Sequence, residues 1–156
     1  MQVKDVMTSA PICCSPADTL DRVARLMRDH DCGIIPVCDQ KRLTGVITDR
    51  DITTRAVGSG LTAADVPVGR VMTKTVFTVR DDDDVQSAID LMESNQVRRL
   101  PVLNEENEVV GVVAPSDLAP IFASMNVSDF LLAVSYWSRG GITSSESSEP
   151  AQRAQP

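Results

Sequence analysis

The segment from Gly45 to Asp51 carries the side chains best suited to binding a polar ligand. Thr48 ends an apolar run and Asp51 follows three residues later, where the first turn of a helix would leave backbone N–H groups unpaired. A hydroxyl and N–H groups can donate to phosphate oxygens, and a carboxylate accepts two hydroxyl hydrogen bonds well. The same T-x-x-D spacing is typical of a capping box, in which both side chains bind only their own helix backbone. The two roles are compatible, so these residues leave both open.

A counterpart of this segment follows in the second half of the chain, at Ala114, Pro115, Ser116 and Asp117. The aspartate is kept, and proline suits the first position of a helix. The hydroxyl is displaced or lost, although Ser116 can replace it in part. We therefore expect a second site that is weaker, altered or empty.

This correspondence extends along the chain, because the sequence contains two copies of one unit. Val6-Met7-Thr8 recurs as Val71-Met72-Thr73, and Ile35-Pro36-Val37 recurs as Leu100-Pro101-Val102. Repetition on this scale indicates that one supersecondary unit occurs twice and fills nearly the whole chain.

Each copy predicts the order strand-helix-strand-strand-helix. Apolar residues at helical spacing run from Leu20 to Met27, including Ala24, and from Val85 to Met92. Two short apolar runs joined by a polar turn follow each helix and predict a hairpin. Pro36 and Pro101 cannot donate to a ladder, so we expect them at a strand start or an edge, where backbone stays open to a ligand. The predicted strands are 12–14, 34–38, 43–48, 76–79, 100–103 and 109–114, and the predicted closing helices are 49–57 and 116–124.

The composition argues against several functions. A net charge of −7 and 3% aromatic residues disfavour binding to nucleic acid or to anionic lipid. The first residues lack a basic segment followed by an apolar run, and no apolar stretch is long enough for membrane insertion, so a cytoplasmic location is expected. No nucleophile elbow or phosphate-loop motif occurs, which argues against an enzyme.

Candidate metal ligands are few. The four cysteines all lie between residues 13 and 38 without C-x-x-C spacing, and His30 is the only histidine, so zinc is not expected. Buried thiols that pack as small hydrophobes explain the cysteines. The run from Asp81 to Asp84 could hold a divalent cation, but consecutive residues on a helical turn point in different directions. We therefore favour helix capping for this run.

The order of these motifs resembles the CBS domain, present as a tandem pair that is often called a Bateman module. The resemblance runs from about Val3 to Ala123 and rests on V-M-T, the L-M helix, the I-P-V and L-P-V strands, and G-V-I-T-D-R-D. The chain is also similar to small stand-alone bacterial CBS proteins of the hypoxic-response type. The resemblance implies an α+β fold of two pseudo-symmetric β-α-β-β-α repeats packed through their sheets. In many members the clefts between repeats bind AMP, ADP, ATP or S-adenosylmethionine.

The resemblance also assigns roles to individual residues. Thr48 would approach phosphate, and Asp51 would hold the ribose hydroxyls. Arg98 and Arg99 match positions at which related pairs carry basic residues that reach phosphate, although strand alternation would send the two to opposite faces and a surface ion pair is the alternative. Apolar candidates would wall the adenine or, alternatively, belong to the core. The remaining candidates are Ile12, Ile34, Ile35, Pro36, Arg50, Phe77, Leu100, Pro101, Ser116 and Asp117.

The predicted organisation places CBS repeat 1 at 1–60, CBS repeat 2 at 61–124, a C-terminal helix at 125–140 and a disordered tail at 141–156. The apolar stripe of the C-terminal helix must cover the core or meet another chain, and CBS pairs commonly dimerise, so we expect a homodimer. The predicted function is regulatory: an adenosine nucleotide binds as a ligand, not as a catalytic cofactor, and the change is passed to an effector protein. The alternative is a ligand-independent dimeric scaffold with empty clefts.

Overall fold

The computed structural model of the protein describes residues 1–122, without the side chains of residues 120 and 122. Helices alternate with two small sheets in this part of the chain, which confirms the predicted α+β class. The predicted C-terminal helix, its dimer contact, the tail and the end of the second closing helix lie outside the described residues.

The elements follow the predicted order in both repeats, with additions at the start of each. A short 3-10 turn at Val3–Asp5 begins the chain, and the predicted strand at 12–14 is reduced to a single bridge at Cys14. The first closing helix continues as a π-helical turn, Ile52–Ala56, and a 3-10 turn, Val57–Ser59. The regular elements are β1 (Thr8–Ser9), α1 (Leu20–Asp29), β2 (Ile34–Asp39), β3 (Arg42–Thr48), α2 (Asp49–Asp51), α3 (Val68–Val71), β4 (Val79–Arg80), α4 (Val85–Asn95), β5 (Leu100–Leu103), β6 (Val109–Val113) and α5 (Pro115–Phe122).

The helices α1 and α4 form because their apolar residues share one face. In α4 the apolar residues at helical spacing are all buried: Val85, Ala88, Ile89 and Met92. In α1 the corresponding residues Leu20, Val23 and Met27 are buried, but Ala24 is exposed. Asp84 begins α4, and its carboxylate accepts a hydrogen bond from the Gln86 N–H at 2.9 Å. This confirms helix capping within the run of aspartates.

The strands form a four-stranded sheet in the order β1-β6-β5-β4 and a separate β2-β3 hairpin. β4 and β5 run parallel, and the other neighbouring strands run antiparallel. Single bridges extend the hairpin in the same way: Cys14 pairs in parallel with Val37, and Thr73 pairs antiparallel with Val46. Both repeats therefore share one topology. The two outer pairings are two-residue strands in the second repeat and single bridges in the first.

The two repeats exchange their first segments. β1 pairs with β6 of the second repeat, and Thr73 pairs with β3 of the first. Val3 packs in the core of the second repeat, whereas Val68 and Val71 of α3 pack in the core of the first. Each core thus contains a segment from the other half of the sequence. The predicted boundary between residues 60 and 61 follows the sequence duplication, and the packing crosses it.

Close contact between the exchanged segments requires glycine at two positions. A Cβ on Gly45 would lie 2.6 Å from the carbonyl oxygen of Thr73, and a Cβ on Gly111 would clash with the side chain of Met7. Each glycine therefore faces the V-M-T segment of the other repeat. Gly45 is therefore a point of close backbone approach, which only glycine allows.

The predicted edge position holds for Pro36, because β2 belongs to a two-stranded sheet, and is wrong for Pro101. Pro36 is the third residue of β2 and Pro101 the second residue of β5, and both are buried. β5 is an internal strand, flanked by β6 and β4. Proline is tolerated there because the pairing with β4 begins only at Val102.

Candidate functional site

A cleft of about 270 Å³ opens between the two repeats, and we call it the Asp51 cleft. Its walls come from the ends of β2 and β3, the start of α2, the connector before β4 and the residues before β5. The structure brings together six of the predicted site residues there: Ile34, Thr48, Asp51, Phe77, Arg98 and Arg99. Five lining residues were not predicted: Val46, Thr73, Thr75, Val76 and Val97.

Thr48 and Asp51 form the capping box that their spacing predicts. The Thr48 N–H donates to Asp51 Oδ2 at 3.1 Å, and the Asp51 N–H donates to Thr48 Oγ1 at 3.0 Å. The hydroxyl hydrogen of Thr48 has no acceptor among the described residues, so it remains able to donate to a ligand. Capping and ligand binding therefore use different atoms of the same two side chains.

The Asp51 carboxylate has two further neighbours. The Thr73 hydroxyl lies 3.3 Å from each carboxylate oxygen, and Arg55 Nε lies 3.5 Å from Oδ1. A carboxylate offers roughly four acceptor positions, and the Thr48 N–H and the Thr73 hydroxyl occupy one each. The side chain is only 10% exposed, yet it lines the cleft. Its remaining positions are those available to hydroxyl groups of a ligand.

Arg98 and Arg99 both line the Asp51 cleft, which contradicts the expectation that strand alternation would separate them. They precede β5 instead of belonging to it, so the two-residue period of a strand does not apply. Both side chains are exposed, and neither forms an ion pair within residues 1–122. Two cations without carboxylate partners therefore stand on the wall that the second repeat contributes.

The connector between Thr73 and β4 gives the cleft its backbone polar groups. No hydrogen bond involves residues 74–78, in a part of the chain where each such bond is described. Thr73, Thr75 and Phe77 line the cleft, and Val76 lies at its margin with a second cavity. The N–H and C=O groups of this extended connector are available to the polar edge of a ligand. The sequence marks Thr73 only as part of the duplicated V-M-T, which gives no signal that it lines the cleft.

The other predicted site residues do not line the Asp51 cleft. Ile35 and Leu100 are 0% exposed and belong to the cores, as the alternative for the apolar candidates allowed. Asp117 accepts a hydrogen bond from the Ala114 N–H at 2.8 Å, so half of the capping box persists in the second repeat. Elsewhere lie buried Pro36 and Pro101, half-buried Ile12, and exposed Arg50 and Ser116.

The cysteines differ in their environments. Burial raises the pKa of the Cys14 thiol to about 12, whereas interaction with the neighbouring Cys38 side chain lowers the pKa of exposed Cys13. The prediction that buried thiols explain the cysteines holds for Cys14 and is wrong for Cys13.

Within residues 1–122, no group of three or more His, Cys, Asp or Glu side chains is arranged to hold a metal ion. None of the helices described is long and apolar enough to cross a membrane.

Comparison with known proteins places these features in a family. The CBS domain family model matches the chain twice, over residues 3–58 and 68–124. Hypoxic response protein 1 of Mycobacterium tuberculosis is 33% identical over 132 residues, which cover 84% of this chain and 92% of that protein. This relative bears out the resemblance to small stand-alone CBS proteins.

Solved structures share the fold. A crystal structure of Hypoxic Response Protein I with two coordinated zinc ions matches with a TM-score of 0.71 at 34% identity, covering 77% of this chain and 98% of that one. The CBS domain pair of protein MJ0100, in complex with methylthioadenosine and S-adenosylmethionine, matches with a TM-score of 0.70 at 25% identity, covering 78% and 99%. A CBS domain protein of Pyrobaculum aerophilum in complex with AMP matches with a TM-score of 0.70 at 24% identity, covering 86% and 99%. The chain belongs to the CBS domain family and carries two CBS domains in tandem.

Proposed function

We propose that the protein is a regulatory sensor that binds an adenosine nucleotide in the Asp51 cleft. The observation that carries the proposal is the pairing, across one cleft, of a carboxylate able to accept hydroxyl groups with two arginines that have no ion-pair partner. Ribose and phosphate need these two kinds of partner at opposite ends of a nucleoside phosphate. CBS pairs of the same fold have been solved with AMP, S-adenosylmethionine or methylthioadenosine, which supports this class of ligand.

The cleft accommodates the parts of a nucleotide in a definite order. Its volume of about 270 Å³ is near the lower limit of about 300 Å³ that is typical of ligand pockets, so the base and ribose would fill it. Adenine would pack between Ile34, Val46 and Val76 with its polar edge against the connector backbone. The ribose would lie at Asp51, and the phosphate would extend to Arg98 and Arg99.

The charges favour a phosphate over a sulfonium compound. Guanidinium groups bind phosphate with paired, charge-assisted hydrogen bonds, whereas S-adenosylmethionine brings a positive sulfur toward the same wall. The net charge of −7 gives no general attraction for anions, so binding must come from local contacts. We therefore expect AMP, ADP or ATP to bind more tightly than S-adenosylmethionine.

The test is calorimetric titration of the full chain with AMP, ADP, ATP, S-adenosylmethionine and NADH. In the Asp51→Ala variant, loss of the hydrogen bonds to a charged group should weaken AMP binding by about 1.5–3 kcal/mol, roughly 10- to 150-fold. Asp84→Ala is the matched control, because it removes a helix cap at a residue that does not line the cleft. AMP binding that is equal in the Asp51→Ala and wild-type proteins would contradict the proposal.

A scaffold without ligand is the second candidate, and one observation favours it. Part of the Asp51 carboxylate already serves its own helix and Thr73, which could leave the side chain a purely structural role. In that case none of the five compounds would bind, and Asp51→Ala would lower stability alone. The sensor proposal further includes a homodimer, a cytoplasmic location and an effector protein that responds to the bound state. A monomer mass at micromolar concentration would contradict the homodimer.

A further inference from the structure

A second cavity lies on the other side of the connector that precedes β4, and we call it the Lys74 pocket. Its volume is about 320 Å³. Thr73, Thr75 and Phe77 face the Asp51 cleft, whereas Lys74 and Thr78 face the Lys74 pocket. The side chains of this connector therefore divide between two cavities, and Val76 lines both.

Most polar side chains that line the Lys74 pocket can donate hydrogen bonds; Thr44 is the exception, because its hydroxyl already donates to the Val37 carbonyl at 3.0 Å. Arg42 and Lys74 are exposed cations without an ion-pair partner among the described residues, and no carboxylate belongs to the described lining. Glu108, the acidic residue bridged to Arg42 through the backbone, lies 3.8 Å from the Lys41 ammonium instead. Two positive charges therefore face the same space without a neutralising partner.

Neutral donors complete the set. Arg80 donates to Asn107 Oδ1 at 3.3 Å, which orients the amide of Asn107 and leaves its NH₂ group free to donate. The Thr78 hydroxyl has no partner in the described part of the chain. Leu43 and Leu103 supply an apolar wall. Several donors around one space suit a phosphate better than a carboxylate, because a phosphate offers several acceptor oxygens and a carboxylate only two.

We propose that the Lys74 pocket is a separate binding site for a small phosphorylated metabolite, with its phosphate held by Arg42, Lys74, Thr78 and Asn107. The site does not depend on nucleotide binding in the Asp51 cleft, since the charged residues of the two cavities are different. The apolar wall would contact the carbon skeleton of the metabolite.

Inorganic pyrophosphate is the probe, titrated calorimetrically into the full chain at about 0.15 M salt, where nonspecific attraction is screened. The wild-type protein should bind it, and Lys74→Gln and Arg42→Gln should each raise its Kd at least about tenfold. Arg70→Gln removes one positive charge outside both cavities and should leave the Kd unchanged. Citrate, a carboxylate anion of comparable charge, should bind more weakly.

Several outcomes would overturn the proposal. Absence of pyrophosphate binding to the wild-type protein would remove the site, and equal binding of citrate would remove the assignment to phosphate. An equal effect of Arg70→Gln would show that only overall charge matters. Loss of pyrophosphate binding in Arg99→Gln but not in Lys74→Gln would move the anion to the Asp51 cleft. The two proposals fail separately, because AMP binding reports on the Asp51 cleft and is expected to survive Lys74→Gln.

Discussion

Gly45→Ala tests whether the exchange of segments between the repeats holds the structure and the cleft together. The new Cβ would lie 2.6 Å from the carbonyl oxygen of Thr73 and 3.1 Å from the Met72 sulfur. The thioether can rotate away, but the carbonyl cannot move freely. It accepts the Val46 N–H at 2.9 Å, while the Thr73 N–H donates to the Val46 carbonyl at 2.8 Å. The variant must therefore separate the Thr73 segment from β3.

The expected cost follows from three contributions. Overpacking costs about 1–3 kcal/mol, and weakening two backbone hydrogen bonds adds about 1 kcal/mol. Alanine reduces the freedom of the unfolded chain, which returns about 0.4–1 kcal/mol, because the backbone of Gly45 is not left-handed. The net loss is about 1–3.6 kcal/mol. For a chain of this size it corresponds to a fall in Tm of roughly 2–14 °C.

Urea unfolding followed by circular dichroism measures the free energy of unfolding, and Gly58→Ala is the control. A Cβ on Gly58 meets its nearest atom, the Thr53 carbonyl oxygen, at 3.4 Å, an ordinary contact. AMP binding should weaken in Gly45→Ala, because Thr73 carries the hydroxyl that contacts Asp51. If Gly45→Ala unfolded at the same urea concentration as Gly58→Ala, the reasoning about the exchanged segments would be refuted.

Two further predictions concern titration. Iodoacetamide at pH 8 should alkylate Cys13 before Cys14, because a lowered pKa enlarges the thiolate fraction; alkylation that is slowed by Cys14→Ser and not by Cys13→Ser would contradict the assignment. The pKa of Asp84 is lowered by the Gln86 N–H, so its stabilising effect is present above its unfolded pKa of about 3.9 and is lost as the pH falls. Asp84→Ala should therefore lower the urea midpoint at pH 7, and the gap to the wild-type protein should narrow as the pH falls through the lowered pKa of Asp84; a gap that did not change with pH would disprove the effect.

Local sequence patterns predicted the regular elements, because the spacing of apolar residues along the chain matches the buried face of each helix or strand. The apolar positions of α4 are buried as their spacing requires, and the Thr48–Asp51 capping box forms because it involves only neighbours along the chain. Contacts between distant residues were beyond such reasoning. Thr73 lines the cleft only because the repeats exchange segments, and no local pattern records that exchange. Arg99 was misjudged because its orientation depends on whether β5 begins before or after it, a boundary that a sequence locates only within a few residues.

The backbone of the chain is duplicated, but the side chains that could bind a ligand differ between the two repeats. Both repeats keep an aspartate that accepts the N–H three residues before it, at 3.1 Å for Asp51 and 2.8 Å for Asp117. In the first repeat the reciprocal N–H binds the Thr48 hydroxyl, whereas the Asp117 N–H binds the backbone carbonyl of Ala114 at 3.0 Å. The second repeat thus keeps its cap without a hydroxyl taking part in it.

The positively charged side chains also differ between the two repeats. Arg98 and Arg99 face the Asp51 cleft, while their counterparts in the duplicated sequence are Gly33 and Ile34, which carry no charge. A Cβ on Gly33 would lie 3.0 Å from Asp49 Oδ2 and 3.6 Å from Arg99 Nη1 of the second repeat. The arginines that the proposal assigns to the nucleotide phosphate therefore lie on one side of the pseudo-symmetric pair. We accordingly propose one nucleotide per chain, bound in the Asp51 cleft.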